Sequence, residues 1–275
     1  MTATPLNTES VAAPWQGRRV VVAGTPVDAC TMAQSVSAII ARAQAGGPPS
    51  YVVTPNAAHL VQLQQDPAFR DIYRGAMLSV ADGMPLVWAS RVLGTPLPER
   101  VNGTDLFVNL CERAAHTGLR VYLFGGRTGA ADAAAAELVR RFPSLIIAGT
   151  SCPPFGFDAD PVELARLDEV VKAARADLLF VGLGAPKQER WIAAHALALG
   201  VPVSLGIGVS FEFVGGMVRR APGWMQRSGL EWFFRLVTEP RRLWRRYLFG
   251  NVTFVWLVAR QWWATKLNGD TTNAA

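Results

Sequence analysis

The chain predicts an α/β fold: a mostly parallel sheet with helices on both faces, then a basic, tryptophan-rich helical appendage. Three observations carry this. Short apolar runs alternate with longer helix-patterned segments from Arg19 to Gly215. These runs are continuously apolar, as expected of strands buried on both faces. Beyond Gly215 the composition changes: six of the nine tryptophans lie in 224–263, and residues 217–266 hold ten Arg or Lys against two Glu. The chain is therefore read as a leader (1–18), an α/β domain (19–215) and a basic appendage (216–275) suited to docking on anionic material.

The expected strands are 19–24, 51–54, 77–81, 120–126, 145–150, 177–184 and 203–208. Helical patterns lie between them at 31–44, 104–116, 131–142 and 161–174. Alternation of this kind predicts parallel strands joined through helices. In such sheets ligands bind beyond the carboxyl ends of the strands. Candidate functional residues are therefore sought there.

Half of the 275 residues are hydrophobic, enough for a large core, and the net charge is +6. The excess positive charge sits in the appendage and the remainder is nearly neutral, which reads as a domain with a docking segment for anionic material. The three cysteines, Cys30, Cys111 and Cys152, form no CxxC pair. They fit a reducing compartment better than a disulfide framework or a thiolate metal site. The leader lacks the basic and apolar regions of a signal peptide. The longest apolar stretch, Tyr247 to Ala259, is thirteen residues. As a helix it would reach about 20 Å, against roughly 30 Å of bilayer core, so it suits an interface better than a span.

Two strand ends carry polar residues. The second expected strand runs into Thr54-Pro55-Asn56 and the third into Ala81-Asp82-Gly83. Asp82 is either a general base facing the crevice or the N-cap of the helix that follows. Arg100 is the one basic residue of the loop 94–105 and can hold a phosphate or face solvent. Thr104 or Asp105 is expected to cap the next helix. Gly125-Gly126-Arg127-Thr128-Gly129 can hold a phosphate at a helix start or simply make a tight turn. In 182–191, Pro186 opens a helix whose first turn carries Lys187 and Gln188, where the helix dipole favours acids. Ligand contact by either residue would explain their place there. Asp158-Ala-Asp160 has the form of a metal-binding DxD, but Asp160-Pro161 reads as a cap and first helical residue. His59, His116 and His195 lack ligand spacing. No metal and no other cofactor is expected.

The order of motifs is specific: TPNAAHL, SVADGMPLVWASRVLG, ERVNGTDLF, LFGG, LGAPKQERWI, then RAPGWMQRSGLEWFFRLVTEPRRLWRRYL. It resembles the WecG/TagA/CpsF family of glycosyltransferases over roughly residues 19–260. The resemblance implies a Rossmann-like fold without a DxD metal site. It also implies inverting transfer of a sugar of the ManNAc, ManNAcA or glucose type, from a UDP-sugar to an undecaprenyl-diphosphate-linked saccharide, in the assembly of cell-surface polysaccharide or teichoic acid. It aligns Asp82 with the family's base, and Thr54, Asn56, Arg100 and Gln188 with its substrate-binding residues. Phe211-Glu212-Phe213 stands where many members have an FDF-like segment, so Glu212 would reach one methylene further toward a nucleotide.

In the appendage, Pro240 begins a helix on which Arg241, Arg242, Arg245 and Arg246 form one arc and Leu243, Trp244, Tyr247 and Leu248 the opposite one, with Phe249 falling among the arginines. This suits either an anionic membrane surface or a helix packed on the domain. Arg219, Arg220 and Arg227 lie nearer the last core strand and, with Arg235, are candidates for diphosphate or membrane contact. The expected location is the cytoplasmic face of the cell membrane, peripherally held, with a homo-oligomer left open. Two other classes are weighed. A dinucleotide-dependent dehydrogenase would need a fingerprint that is absent. A nucleic-acid-binding module would leave the PKQE turn unexplained and is not expected.

Overall fold

The computed structural model describes residues 17–238 and 240–270, without the side chains of Leu197, Arg227, Arg235, residues 240–249 and residues 268–270. The leader, apart from Gly17 and Arg18, lies outside the described residues.

The first expected strand forms but does not join the main sheet. β1 (Arg19–Val22) turns straight into β2 (Thr25–Asp28) as an antiparallel hairpin. The two turn residues, Ala23 and Gly24, both have positive φ, 46° and 73°. Such a turn matches the twist of paired strands and returns the chain at once. Asp28 then ties the hairpin to the main sheet. Its carboxylate accepts from Arg19 Nε at 2.7 Å and from the Ser79 amide at 2.7 Å.

The remaining runs form six parallel strands: β3 (Ser50–Val53), β4 (Leu78–Ser79), β5 (Arg120–Gly125), β6 (Ile146–Ser151), β7 (Leu178–Gly182) and β8 (Val203–Gly206). Their order is β4-β3-β8-β7-β5-β6, and every neighbouring pair is parallel. Alternate residues of each strand face opposite sides, and both sides are apolar. Leu178 and Phe180 pack with α1 (Met32–Gln44), α5 (Gly103–Thr117), α6 (Ala130–Arg141) and α9 (Ser210–Val214). Leu179 and Val181 pack with α7 (Pro161–Ala173) and α8 (Lys187–Leu199). A third cluster joins the hairpin and β3 to α2 (Ala57–Gln65), α3 (Pro67–Gly75) and α4 (Met84–Val92). The continuous apolar runs are thus explained by burial on two faces.

This topology positions a crevice. β3 and β8 are neighbours, yet the helices that follow them leave on opposite faces, α2 on one and α9 on the other. The connections diverge at the carboxyl ends and leave a gap between them.

Short helices α10 (Gly223–Arg227) and α11 (Glu231–Thr238) lead to the long α12 (Pro240–Asp270). α12 lays Phe254, Leu257 and Val258 into the cluster of α2 and the hairpin. It leaves Val252, Val255, Trp256 and Trp263 exposed. Among the described residues no helix is long and apolar enough to cross a membrane.

Asp28→Ala removes the carboxylate's bond to the Ser79 amide of β4 and its bond to Arg19 within the hairpin. Its urea midpoint should fall by the equivalent of about 2 kcal/mol, the worth of hydrogen bonds to a charged group. An unchanged midpoint would mean that the Asp28 carboxylate does not help to hold the hairpin.

Candidate active site

The crevice is a cavity of about 410 Å³ lined by the carboxyl ends of β3, β4, β7 and β8 and by the loop before α5. Thr54 closes one seam by donating to the Gly206 carbonyl at 3.3 Å, from β3 to β8. Asn56 caps α2, its Oδ1 accepting from the amides of Ala58 and His59 at 3.1 and 3.2 Å. Asp82 is held by its own backbone, whose amide donates to the Pro55 carbonyl at 2.8 Å. Gly103 floors the cavity. A Cβ there would stand 3.7 Å from Thr54 Oγ1 and 4.0 Å from Asp82 Oδ2, so hydroxyl and carboxylate face one spot.

Asp82 is not a cap. Gly83 occupies the N-cap position of α4, and no side chain caps that helix. The carboxylate instead accepts from Asn102 Nδ2 at 2.9 Å. The cap of α5 is likewise Asn102, whose Oδ1 accepts from the Thr104 and Asp105 amides, rather than Thr104 or Asp105. The same oxygen accepts from Arg220 Nη2 at 3.1 Å.

Behind Asn102 lies a network of paired charges. Arg220 donates to both carboxylate oxygens of Asp105 and, at 3.3 Å, to Glu231 Oε1. Arg100 donates to Glu231 Oε2 at 3.1 Å and stands 3.7 Å from Asp105. Both arginines are largely buried, Arg220 to 7% side-chain exposure and Arg100 to 15%. Burial opposes the charge on Arg220, but its bonds to Asp105 and the charges of Asp105 and Glu231 hold it above the usual arginine range. Asp82 feels the reverse balance. Burial pushes its carboxyl up to about 6; Arg100 and Arg220 pull it down, Glu231 and Asp105 push it up. A half-buried carboxylate tuned toward neutrality, with one oxygen bonded, can accept a proton at physiological pH.

The other expected residues are placed as follows. Gln188 lines the cavity, but its Oε1 is taken by the amides of Gly184 at 3.2 Å and Gly208 at 3.0 Å. It braces the loops after β7 and β8. Lys187 is not brought to this cavity: it pairs with Asp158 at 2.7 Å and lies over the Phe157 ring, in a separate cavity of about 330 Å³. Glu212 does not line the crevice either. On α9 its Oε1 accepts from the Arg127 amide at 3.0 Å, and its other oxygen is buried without a partner. It thus holds the Gly126-Arg127 turn. Arg219 is exposed. The side chains of Arg227, Arg235, Arg241, Arg242, Arg245 and Arg246 lie outside the described residues. Asp160 caps α7, accepting from Val162 and Glu163. Among the described residues no three His, Cys, Asp or Glu side chains converge as metal ligands.

A sequence profile of the glycosyl transferase WecG/TagA/CpsF family matches residues 20–268. The chain belongs to the WecG/TagA/CpsF glycosyltransferase family. Relatives include the N-acetylglucosaminyldiphosphoundecaprenol N-acetyl-beta-D-mannosaminyltransferase of Bacillus spizizenii, 34% identical over 72% of this chain and 75% of that protein. The enzymes of the same name from Bacillus subtilis and Staphylococcus aureus are 33% and 30% identical. They cover 67% and 71% of this chain, and 69% and 74% of their own lengths. The glycosyltransferase's strand-end residues Thr54, Asn56 and Asp82 thus meet in one crevice. Asn102, Asp105 and Glu231, which complete it, were not singled out by sequence for this role. Asn102 stands before Gly-Thr-Asp at a helix start, a cap signal that Thr104 and Asp105 share.

In carbon-detected NMR, Asp82 should titrate near the value of about 6 set chiefly by its burial. Asn102→Asp keeps a capping oxygen but replaces the donor to Asp82 with a like charge, and should raise that titration by about one unit. No change would mean that Asn102 does not tune the carboxylate.

Proposed function

We propose that this glycosyltransferase moves a sugar from a UDP-sugar to a polyprenyl-diphosphate-linked saccharide by a single displacement with inversion. The observation that carries this reading is Asp82: one carboxylate, half-buried and tuned upward, facing a strand-end crevice beside Thr54 and Asn56. Its oxygen takes the proton of an acceptor hydroxyl as that hydroxyl attacks the anomeric carbon. The bond from that carbon to UDP breaks, and UDP leaves with the electron pair. Arg100, at the cavity wall, holds a phosphate oxygen of donor or acceptor, and Arg220 supports it from behind through shared carboxylates. Their charge offsets the charge on departing UDP, and the reaction needs no divalent metal. The relatives' names point to N-acetylmannosamine as the donor sugar and to N-acetylglucosaminyl-diphosphate on the lipid as the acceptor.

The acceptor lies in a membrane, and the appendage suits its surface. The exposed Trp256 and Trp263 share α12 with Arg260, 5.0 Å over the Trp256 ring, and Lys266, 5.5 Å over the Trp262 ring. Aromatic rings beside cations fit an anionic headgroup layer. We place the enzyme peripherally on the cytoplasmic face, where nucleotide sugars are available.

The test is UDP release from a panel of UDP-sugars, with a short-chain polyprenyl-diphosphate N-acetylglucosamine acceptor and EDTA. Acceptor-dependent turnover with one donor is expected. Turnover only after adding Mg²⁺ or Mn²⁺ would contradict the metal-free mechanism. Turnover should fall below pH of about 6 as Asp82 is protonated. Asp82→Asn should lose at least about 100-fold in kcat. Because the folded-state carboxyl is raised, ionising it costs stability as pH climbs from the unfolded carboxylate range through about 6. Asp82→Asn should therefore melt no lower than the parent at pH 7, and a large drop would mean the carboxylate is structural. Replacing Trp256 and Trp263 together by Ala should weaken sedimentation with anionic vesicles about tenfold. Turnover on the short-chain acceptor should be unaltered. Unaltered sedimentation would remove these rings from the membrane contact.

A further inference from the structure

Below the crevice a buried polar chain runs away from Asn56. Asn56 Nδ2 lies 3.4 Å from His59 Nε2, and His59 Nδ1 lies 2.9 Å from Tyr73 Oη. His59 is 6% exposed and Tyr73 1%. Both stand edge-on to their neighbours, with Phe69 and Tyr73 at 4.9 Å completing an aromatic wall.

The donors and acceptors around the Asn56 amide orient the amide and the imidazole. The Asn56 oxygen must be the atom that faces the amides of Ala58 and His59, because the amide nitrogen there would confront two donors. Nδ2 therefore faces His59 and must donate. His59 Nε2 then accepts and carries no proton, and the neutral ring carries its proton on Nδ1. That proton goes to Tyr73 Oη. Burial, and the negative charges of Glu189 and Asp82, keep the Tyr73 phenol protonated. The Asn56 amide thus cannot rotate without breaking both the helix cap and the histidine bond. Its second N–H is left for the cavity, which Asn56 and His59 both line.

We propose that His59 and Tyr73 are positioning residues for the transfer reaction, fixing the Asn56 amide so that its free N–H donates to a substrate oxygen beside Asp82. This rests on the transferase reading above. The mutual fit is specific: an aromatic wall alone would place no histidine nitrogen on the amide.

Two measurements test it. Long-range proton–nitrogen NMR of the full chain should show His59 as the Nδ1–H tautomer; an Nε2–H tautomer or an imidazolium at neutral pH would overturn the proposal. The second is a kinetic cycle with UDP-N-acetylmannosamine and the short-chain acceptor. Asn56→Ser keeps a capping oxygen and removes the amide. Tyr73→Phe keeps the ring and removes the hydroxyl. Tyr73→Phe should lower kcat about tenfold in the parent, with little change in KM. In the Asn56→Ser background it should lower kcat no further, because the group it orients is gone. A purely structural hydroxyl would cost the same factor in both backgrounds, and that result would overturn the positioning role. A parent enzyme inactive with every donor would instead sink the transferase reading, whatever the tautomer.

Discussion

The site depends on the side-chain amide of Asn102. Its oxygen caps α5 and accepts from Arg220, while its nitrogen donates to Asp82. One planar group thus fixes a helix start, Arg220 and the Asp82 carboxylate in relation to each other. Neither an ionised Asp nor a Ser could do the same, because the amide presents a fixed acceptor and a fixed donor side by side in one plane. Behind it two carboxylates, Asp105 and Glu231, share two guanidiniums, Arg100 and Arg220. Asp105 and Glu231 take the direct pairs. Asp82 is left with a neutral donor, which is why burial prevails at that carboxyl.

The backbone supplies the other half of the arrangement. Parallel strands place Thr54, Asp82, Gly184 and Gly208 at one edge of the sheet, and the divergence of α2 and α9 opens the gap there. Gln188 keeps the gap open by bridging the loops after β7 and β8 from inside the core. Asn56, anchored through His59 to Tyr73, forms the opposite wall. Two largely buried residues outside the lining, Tyr73 and Arg220, support this wall through His59 and Asn102.

How legible this was in the sequence depended on the range of the interaction. Continuous apolar runs marked all six sheet strands because burial on both faces leaves a local pattern. The hairpin was misread as part of the sheet: Arg19–Val22 has the same apolar character, and only the positive φ of Ala23 and Gly24 turns it back. Thr54, Asn56 and Asp82 were readable as strand ends. Lys187 looked equally functional, since the helix dipole argument holds for it, but its partner Asp158 is 29 residues away and invisible locally. The Asn102–Arg220 and Arg100–Glu231 bonds span 118 and 131 residues. No spacing rule reaches that far, so the sequence did not single out Glu231.

Among the described residues that line the crevice the carboxylates are Asp82 and Glu231, and Glu231 is paired with Arg100 and Arg220. The most direct measurement is the anomeric configuration of the first-formed product, read by proton NMR against that of the donor. Opposite configurations are predicted by a single displacement assisted by Asp82. The same configuration in donor and product would require two displacements through an enzyme nucleophile, and would contradict the account.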